Sequence, residues 1–252
     1  MIADADRARR LDYWRRRLVG APSVLGLPSR RARASVRGER RGRLVFDLAP
    51  ELLGRLDAVA TRAEASLSVT LLAAFQALVH RYTAQVDRWI GSTSPSGEML
   101  VVRTDLSDDP SFFELVKRVR RAHEEALAHE LPLAEILGAL DRKQLFDVAF
   151  TMAEREVAPE LARGLDLLVR LSETPAGLVG EIDYDAKLFE PTMVAGIAEH
   201  YAVLLECVAA GAATRLSVLP LMTVAGRQLL VEWNDTARKY PRELFVRRLT
   251  TS

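Results

Sequence analysis

From residue 67 to residue 79 the chain reads LSVTLLAAFQALV, thirteen residues without a charge. A helix needs about 20 apolar residues to cross a bilayer, so this run must be buried by protein rather than lipid. Leu71, Phe75, Leu78, Val79 and Tyr82 share one broad helical face, while Val69, Leu72 and Ala73 fill most of the other side. A helix apolar nearly all round belongs at the centre of a domain, with walls on several sides. The rest of the chain has to supply those walls.

The flanking sequence offers candidates. Ser66 stands where it can cap the central helix. Residues 9–20 read as a short basic helix with Leu11, Trp14 and Leu18 on one edge, ended by Gly20 and Pro22. Leu44, Phe46 and Leu48 alternate with Val45 and Asp47 as in a half-buried strand. Pro50 then opens a helix whose Leu52, Leu53, Leu56, Val59, Ala60 and Ala63 share a face. Strand-like pieces at 86–90 and 100–106 flank a small-residue loop, GSTSPSG. Ser111 and Glu114 form an S-x-x-E capping box ahead of Leu115, Val116 and Val119. A short helix is expected at 132–140, followed by strands at 145–152, 165–171 and 178–184, the last two joined by ETPAG. Pro191 opens a final helix that Gly211 closes. The alternation predicts an α/β class with a mixed β-sheet packed by helices.

Composition narrows the function classes. In 252 residues, 49% are hydrophobic and 27% charged, an ordinary globular mixture. The one cysteine, Cys207, excludes an internal disulfide framework, and the N-terminus has no apolar leader, so the expected location is cytoplasmic, with no membrane partner. Residues 1–43 hold thirteen Arg against Asp4, Asp6, Asp12 and Glu39. Nucleic-acid binding is a poor reading of that excess: Arg outnumbers Lys thirty-one to four along the whole chain, and no aromatic residue interleaves the arginines from 30 to 43. A solvated basic arm fits better.

Residue chemistry points away from a self-contained catalyst. Gly91–Gly97 lacks the Gly-Lys-Ser/Thr of a phosphate loop, and Thr93 and Pro95 stand where a nucleophile elbow needs Ser and Gly. A flexible or binding loop is expected there. His200 and Cys207 lie seven residues apart on one helix, a rise of about 10 Å, too far for a thiol–imidazole pair. His123 and His129 are six apart, on opposing sides of a helix rather than at a zinc-binding i, i+4 spacing, so no metal site is expected. His80 reads as the polar end of the buried helix, and Cys207 as core.

The order of these segments resembles a known family. The stretches YWRRRLVGAP, LSVTLLAAFQALVHRYTAQVDRWIGST, VVRTDLSDDPSFFELVKRVRRAHEEALAHELPL, LFDVAFTM, GLVGEIDYDAKLF and LSVLPLMT leading into LLVEWNDTARKYP are similar to the C-terminal lobe of nonribosomal peptide synthetase condensation domains, of the chloramphenicol-acetyltransferase-like superfamily. The resemblance implies a single such lobe at 44–222, a basic helix and arm at 1–43, and at 223–252 the start of a linker to an adenylation domain. It also implies amide formation between aminoacyl groups held as thioesters, phosphopantetheine carried on a partner rather than on this chain, and an aminoacyl or peptidyl carrier protein as partner. Arg7, Arg9, Arg10, Arg15, Arg16 and Arg17 are the carrier-interface candidates, and Gly91, Ser92, Thr93, Ser94, His129 and Pro132 the tunnel-side candidates by resemblance.

The departures from the family are as specific as the match. Its catalytic HHxxxDG is absent, since no two of His80, His123, His129 and His200 are adjacent. GSTSPSGE passes directly into MLVVRTD without the family's long floor loop, HELPLAE replaces HQDxPFE, and the stretch after LFDVAFTM is abbreviated. No catalytic residue is therefore assigned. Three readings follow: a condensation-type lobe inactive alone, a non-catalytic scaffold binding a carrier protein or synthetase, and a half-enzyme completed by a separate N-terminal lobe.

Overall fold

The computed structural model describes residues 4–20, 27, 40–152 and 157–222. The uncharged run becomes α3, Leu67–Thr83, capped by Ser66, whose hydroxyl accepts from the Val69 amide at 3.2 Å. Every residue from Val69 to Val79 is buried. Fully burying a Leu or Phe is worth about 1.5–3 kcal/mol, so Leu71, Phe75 and Leu78 anchor the core together. Phe75 stacks on Phe150 at 5.6 Å and meets Tyr201 edge-on at 6.1 Å, and the Tyr201 hydroxyl donates to the Leu71 carbonyl at 2.9 Å.

The walls are α1 (Asp4–Leu18), β1 (Arg41–Asp47), α2 (Pro50–Arg62), β2 (Asp87–Thr93), β3 (Met99–Asp105), α4 (Phe112–Ala128), α5 (Leu133–Ala139), β4 (Val148–Met152), α6 (Pro159–Gly164), β5 (Leu167–Thr174), β6 (Gly177–Asp185) and α7 (Pro191–Ala210). The strands form one sheet in the order β1-β6-β5-β4-β2-β3. β4 pairs parallel with both β2 and β5, whereas β1–β6, β5–β6 and β2–β3 are antiparallel. The sheet is mixed, as expected from the sequence.

Its two faces differ in chemistry. Phe150, Phe46 and Tyr184 lie on the face toward the helices, and Phe46 and Tyr184 cover Gly180 and Gly42 so closely that a methyl group would collide with each ring. On the reverse face of β1, β6 and β5, Arg43 pairs with Glu181 and Asp183 at 3.1 and 3.0 Å, and Arg170 pairs with the same two acids. Helix α7 is long and apolar enough to cross a bilayer. Glu199, His200 and Glu206 interrupt it, however, and its buried Val194, Tyr201, Leu204 and Val208 belong to the core shared with α2 and α3.

Several boundaries differ from the sequence reading, for physical reasons. α1 starts at Asp4, five residues early, because Asp4 and Asp6 sit in its first turn, where negative charge complements the helix dipole, and Asp6 pairs with Arg9 and Arg10. β2 runs to Thr93 and absorbs Gly91, Ser92 and Thr93 from the expected loop, since Thr93 pairs with Met99 and Gly91 with Ala149. Only a tight turn remains, closed by Ser94 N–H donating to the Glu98 carbonyl at 2.8 Å, with Gly97 at φ +94°. β4 begins at Val148 rather than residue 145. Helix α6, opened by Pro159, has no counterpart in the sequence reading. Pro22, most of the basic arm, and residues 223–252 with their linker-like phrase lie outside the described residues.

Candidate functional site

The first turn of α3, the end of β2 and the middle of α4 converge on a cleft of about 340 Å³. Ser66, Leu67, Ser68 and Val69 enter from α3, with Leu72 one turn further on; Ser92, Thr93, Ser94 and Pro95 enter from β2 and its turn. His123 comes from α4, Phe150 and Met152 from β4, and Glu173 from β5. The topology explains the meeting: β2 and β4 are neighbours in the sheet, and α3 and α4 pack against each other above them.

The cleft is polar at one end and apolar at the other. Ser66 and Ser68 share a hydroxyl–hydroxyl hydrogen bond of 2.9 Å. The amides of Leu67 and Ser68 belong to the first turn of a helix, where no intrahelical acceptor exists, and no acidic residue occupies that turn. Ser92 is only 7% exposed and its hydroxyl has no hydrogen-bond partner among the described residues. Burial holds the His123 imidazole below its ordinary pKa, with Glu124 opposing the shift, so the ring is neutral at neutral pH. Leu72, Phe150 and Met152 form the apolar end.

The tunnel-side candidates divide. Ser92, Thr93 and Ser94 line the cleft. Ser94 also organises its turn, its hydroxyl accepting from the Ser96 and Glu98 amides at 3.2 Å each, and Ser96 donates to Glu130 at 2.5 Å. Gly91 belongs to the opposite face, where the buried Phe146 ring lies over its backbone. His129 stands apart: its ring stacks on Tyr13 at 3.8 Å, its Nδ1 contacts the Glu125 carbonyl at 2.9 Å, and its own carbonyl accepts from the Trp14 indole at 2.8 Å. Pro132 precedes α5 as its cap residue and does not line the cleft.

The arginines of α1 are largely occupied within the chain. Arg7 pairs with Glu135 at 2.8 Å, Arg9 and Arg10 with Asp6, Arg16 with Asp12, and Arg17 with Glu125 at 3.6 Å while donating to the Arg103 carbonyl. Arg15 is exposed. Elsewhere, the Tyr82 hydroxyl and His200 Nδ1 share a hydrogen bond of 2.5 Å, the phenol pushed up to about 12 by burial, and Cys207 is half-buried with its thiol pushed up for the same reason. Among the described residues no cluster of three or more His, Cys, Asp and Glu side chains could hold a metal ion.

The match to known proteins is consistent with this architecture. Residues 1–96 match the Condensation domain family. The chain is 33% identical over 276 residues to a linear gramicidin synthase protein of Brevibacillus parabrevis, which takes in 95% of this chain and 5% of that protein. It is also 33% identical over 272 residues to a phosphinothricin tripeptide synthetase of Streptomyces viridochromogenes, over 93% of this chain and 23% of that protein. Among solved structures, the X-domain from teicoplanin biosynthesis superposes with a TM-score of 0.77 at 27% identity, over 87% of this chain and 58% of that one. The chain is similar in sequence and fold to condensation domains. The complex of that X-domain with OxyB gives a TM-score of 0.76 at 26% identity over 86% of this chain and 56% of that one. This condensation-domain-like chain therefore has the chloramphenicol-acetyltransferase-like fold in a single mixed-sheet lobe. It spans a small fraction of both curated synthetases and little more than half of the solved X-domain.

Sequence reasoning sets His123 aside as a metal ligand and as part of a catalytic pair, and does not place Ser66 or Ser68 in a site. Nothing local marks them, because the cleft is assembled by the packing of α3 on α4 and by the pairing of β2 with β4.

Proposed function

We propose that this condensation-domain-like chain acts in nonribosomal peptide biosynthesis as one lobe of an amide-forming unit, engaging aminoacyl or peptidyl groups on a partner carrier's phosphopantetheine, and that it does not form the amide alone. The supporting observation is the cleft itself. Amide formation from a thioester needs a base within reach of the amine and a donor for the carbonyl oxygen. The cleft holds one histidine, His123, whose depressed pKa makes it a weak proton acceptor and whose ring has no orienting hydrogen bond among the described residues. The HHxxxDG pair of the family is absent from the sequence. The test is a mass-spectrometric assay with carrier-bound donor and acceptor aminoacyl groups. The chain alone should give no dipeptide above background, and a separately expressed N-terminal lobe bearing HHxxxDG should restore product. Dipeptide from the chain alone would refute the reading.

A second reading, a non-catalytic scaffold for a synthetase or a partner enzyme, is favoured by one observation: the X-domain that superposes on this chain has been solved in complex with OxyB. Under that reading the mixture of lobes stays silent while the chain still retains a carrier or partner enzyme on a column.

A further inference from the structure

We propose that the cleft at the start of α3 is a binding site for a small amphipathic carboxylic acid, an assignment that stands whether or not the chain takes part in amide formation. Three features converge. α3 is a 17-residue helix whose first-turn residues Leu67 and Ser68 line the cleft, and their amides lack intrahelical acceptors. Aligned peptide dipoles place partial positive charge there, which favours an anion. Independently, Ser92 is more than nine-tenths buried on the strand below, lines the same cleft, and has no hydrogen-bond partner among the described residues for its hydroxyl. The Ser92 oxygen is not fully enclosed, so within the cleft its hydroxyl can donate to a carboxylate oxygen.

The apolar end sets the rest of the ligand. Leu72, Phe150 and Met152 offer carbon surface within a cleft of about 340 Å³, which suits a compact hydrophobic group joined to the acid. Inorganic phosphate would satisfy the helix terminus and leave that surface empty. His123 is neutral at neutral pH and presents a hydrogen-bonding ring rather than a charge. Glu173 is the one acid lining the cleft; it is exposed, so water and salt screen its repulsion without removing it.

Titration calorimetry on the full chain tests the proposal, with N-acetyl-L-phenylalanine, its carboxamide and inorganic phosphate as probes, alongside amide shifts of Leu67, Ser68 and Ser92 by NMR. The acid should bind at least about tenfold more tightly than the carboxamide, as expected for a charge-assisted hydrogen bond. Ser92→Ala, a substitution small enough to leave the strand intact, should weaken it about fivefold, the loss of one such bond. Glu173→Gln should tighten it about twofold by removing a screened like charge. Equal binding of acid and carboxamide, phosphate binding in preference to the acid, or a folded Ser92→Ala that binds like the parent would each overturn the assignment. Because binding is read on the chain alone, failure here is distinguishable from failure of the two-lobe product assay.

Discussion

At the scale of single residues, two positions carry sharp consequences. Gly91 is a glycine because the Phe146 ring occupies the space of its missing side chain, and Phe146 is itself only 2% exposed. Gly91→Ala should therefore cost about 1–3 kcal/mol of stability, the usual penalty of overpacking. Phe146→Leu in the same chain should recover part of that loss, and urea denaturation of the single and double variants measures the coupling. His123 has a depressed folded pKa, so its unfolded form binds a proton more readily. Its contribution is complete above the ordinary value of 6.5 and is lost as pH falls through the folded pKa. The carboxylates of Asp105 and Asp109 are held below 3.8 by hydrogen bonds from Ser107 and Ser217, so their losses begin only in stronger acid. His123→Gln should accordingly flatten the fall in melting temperature in the region just below pH 6.5 and leave the acid limb unchanged. None of this is visible in sequence, where Gly91 reads as part of a loop and His123 as one histidine among four.

At the scale of elements, the sequence is most informative where a local rule and burial agree. Ser66 and Ser111 both cap as their positions imply, Ser111 accepting from the Glu114 amide at 3.2 Å. The uncharged run forms the central helix because no other placement hides its full circumference. Leu71 is 0% exposed within it, and Leu71→Asp would strand a charge in the core. That variant should not melt cooperatively, whereas Leu71→Met, which conserves volume, should remain folded within about 1.5 kcal/mol of the parent; circular dichroism melts distinguish the two. Local reasoning falters where tertiary pairing overrules propensity. Gly91, Ser92 and Thr93 have the composition of a loop, yet hydrogen bonding to β3 and a parallel neighbour in β4 holds them as strand. The early start of α1 escapes notice for the opposite reason, since its first turn is polar and leaves no apolar periodicity to read.

At the scale of the whole molecule, class and mixed sheet follow from the alternation of elements, but strand order does not, because pairing between distant segments leaves no periodic signature. The cleft is a product of that order. Had β4 not entered between β2 and β5, Phe150 would not lie beside Ser92, and α3 would have no floor beneath its first turn. The same order has a consequence for how the protein is made. Among the described strands β1 pairs only with β6, which leaves the ribosome more than a hundred residues later. Throughout that interval the nascent chain carries a strand with nowhere to pair, and an open strand edge recruits other chains. Helices α2 and α3 can associate early through nearby contacts, but the sheet face they pack on is incomplete until Gly177–Asp185 emerges. Synthesis and closure thus run in opposite directions: β1, translated before the other described strands, is secured only when the last of them emerges.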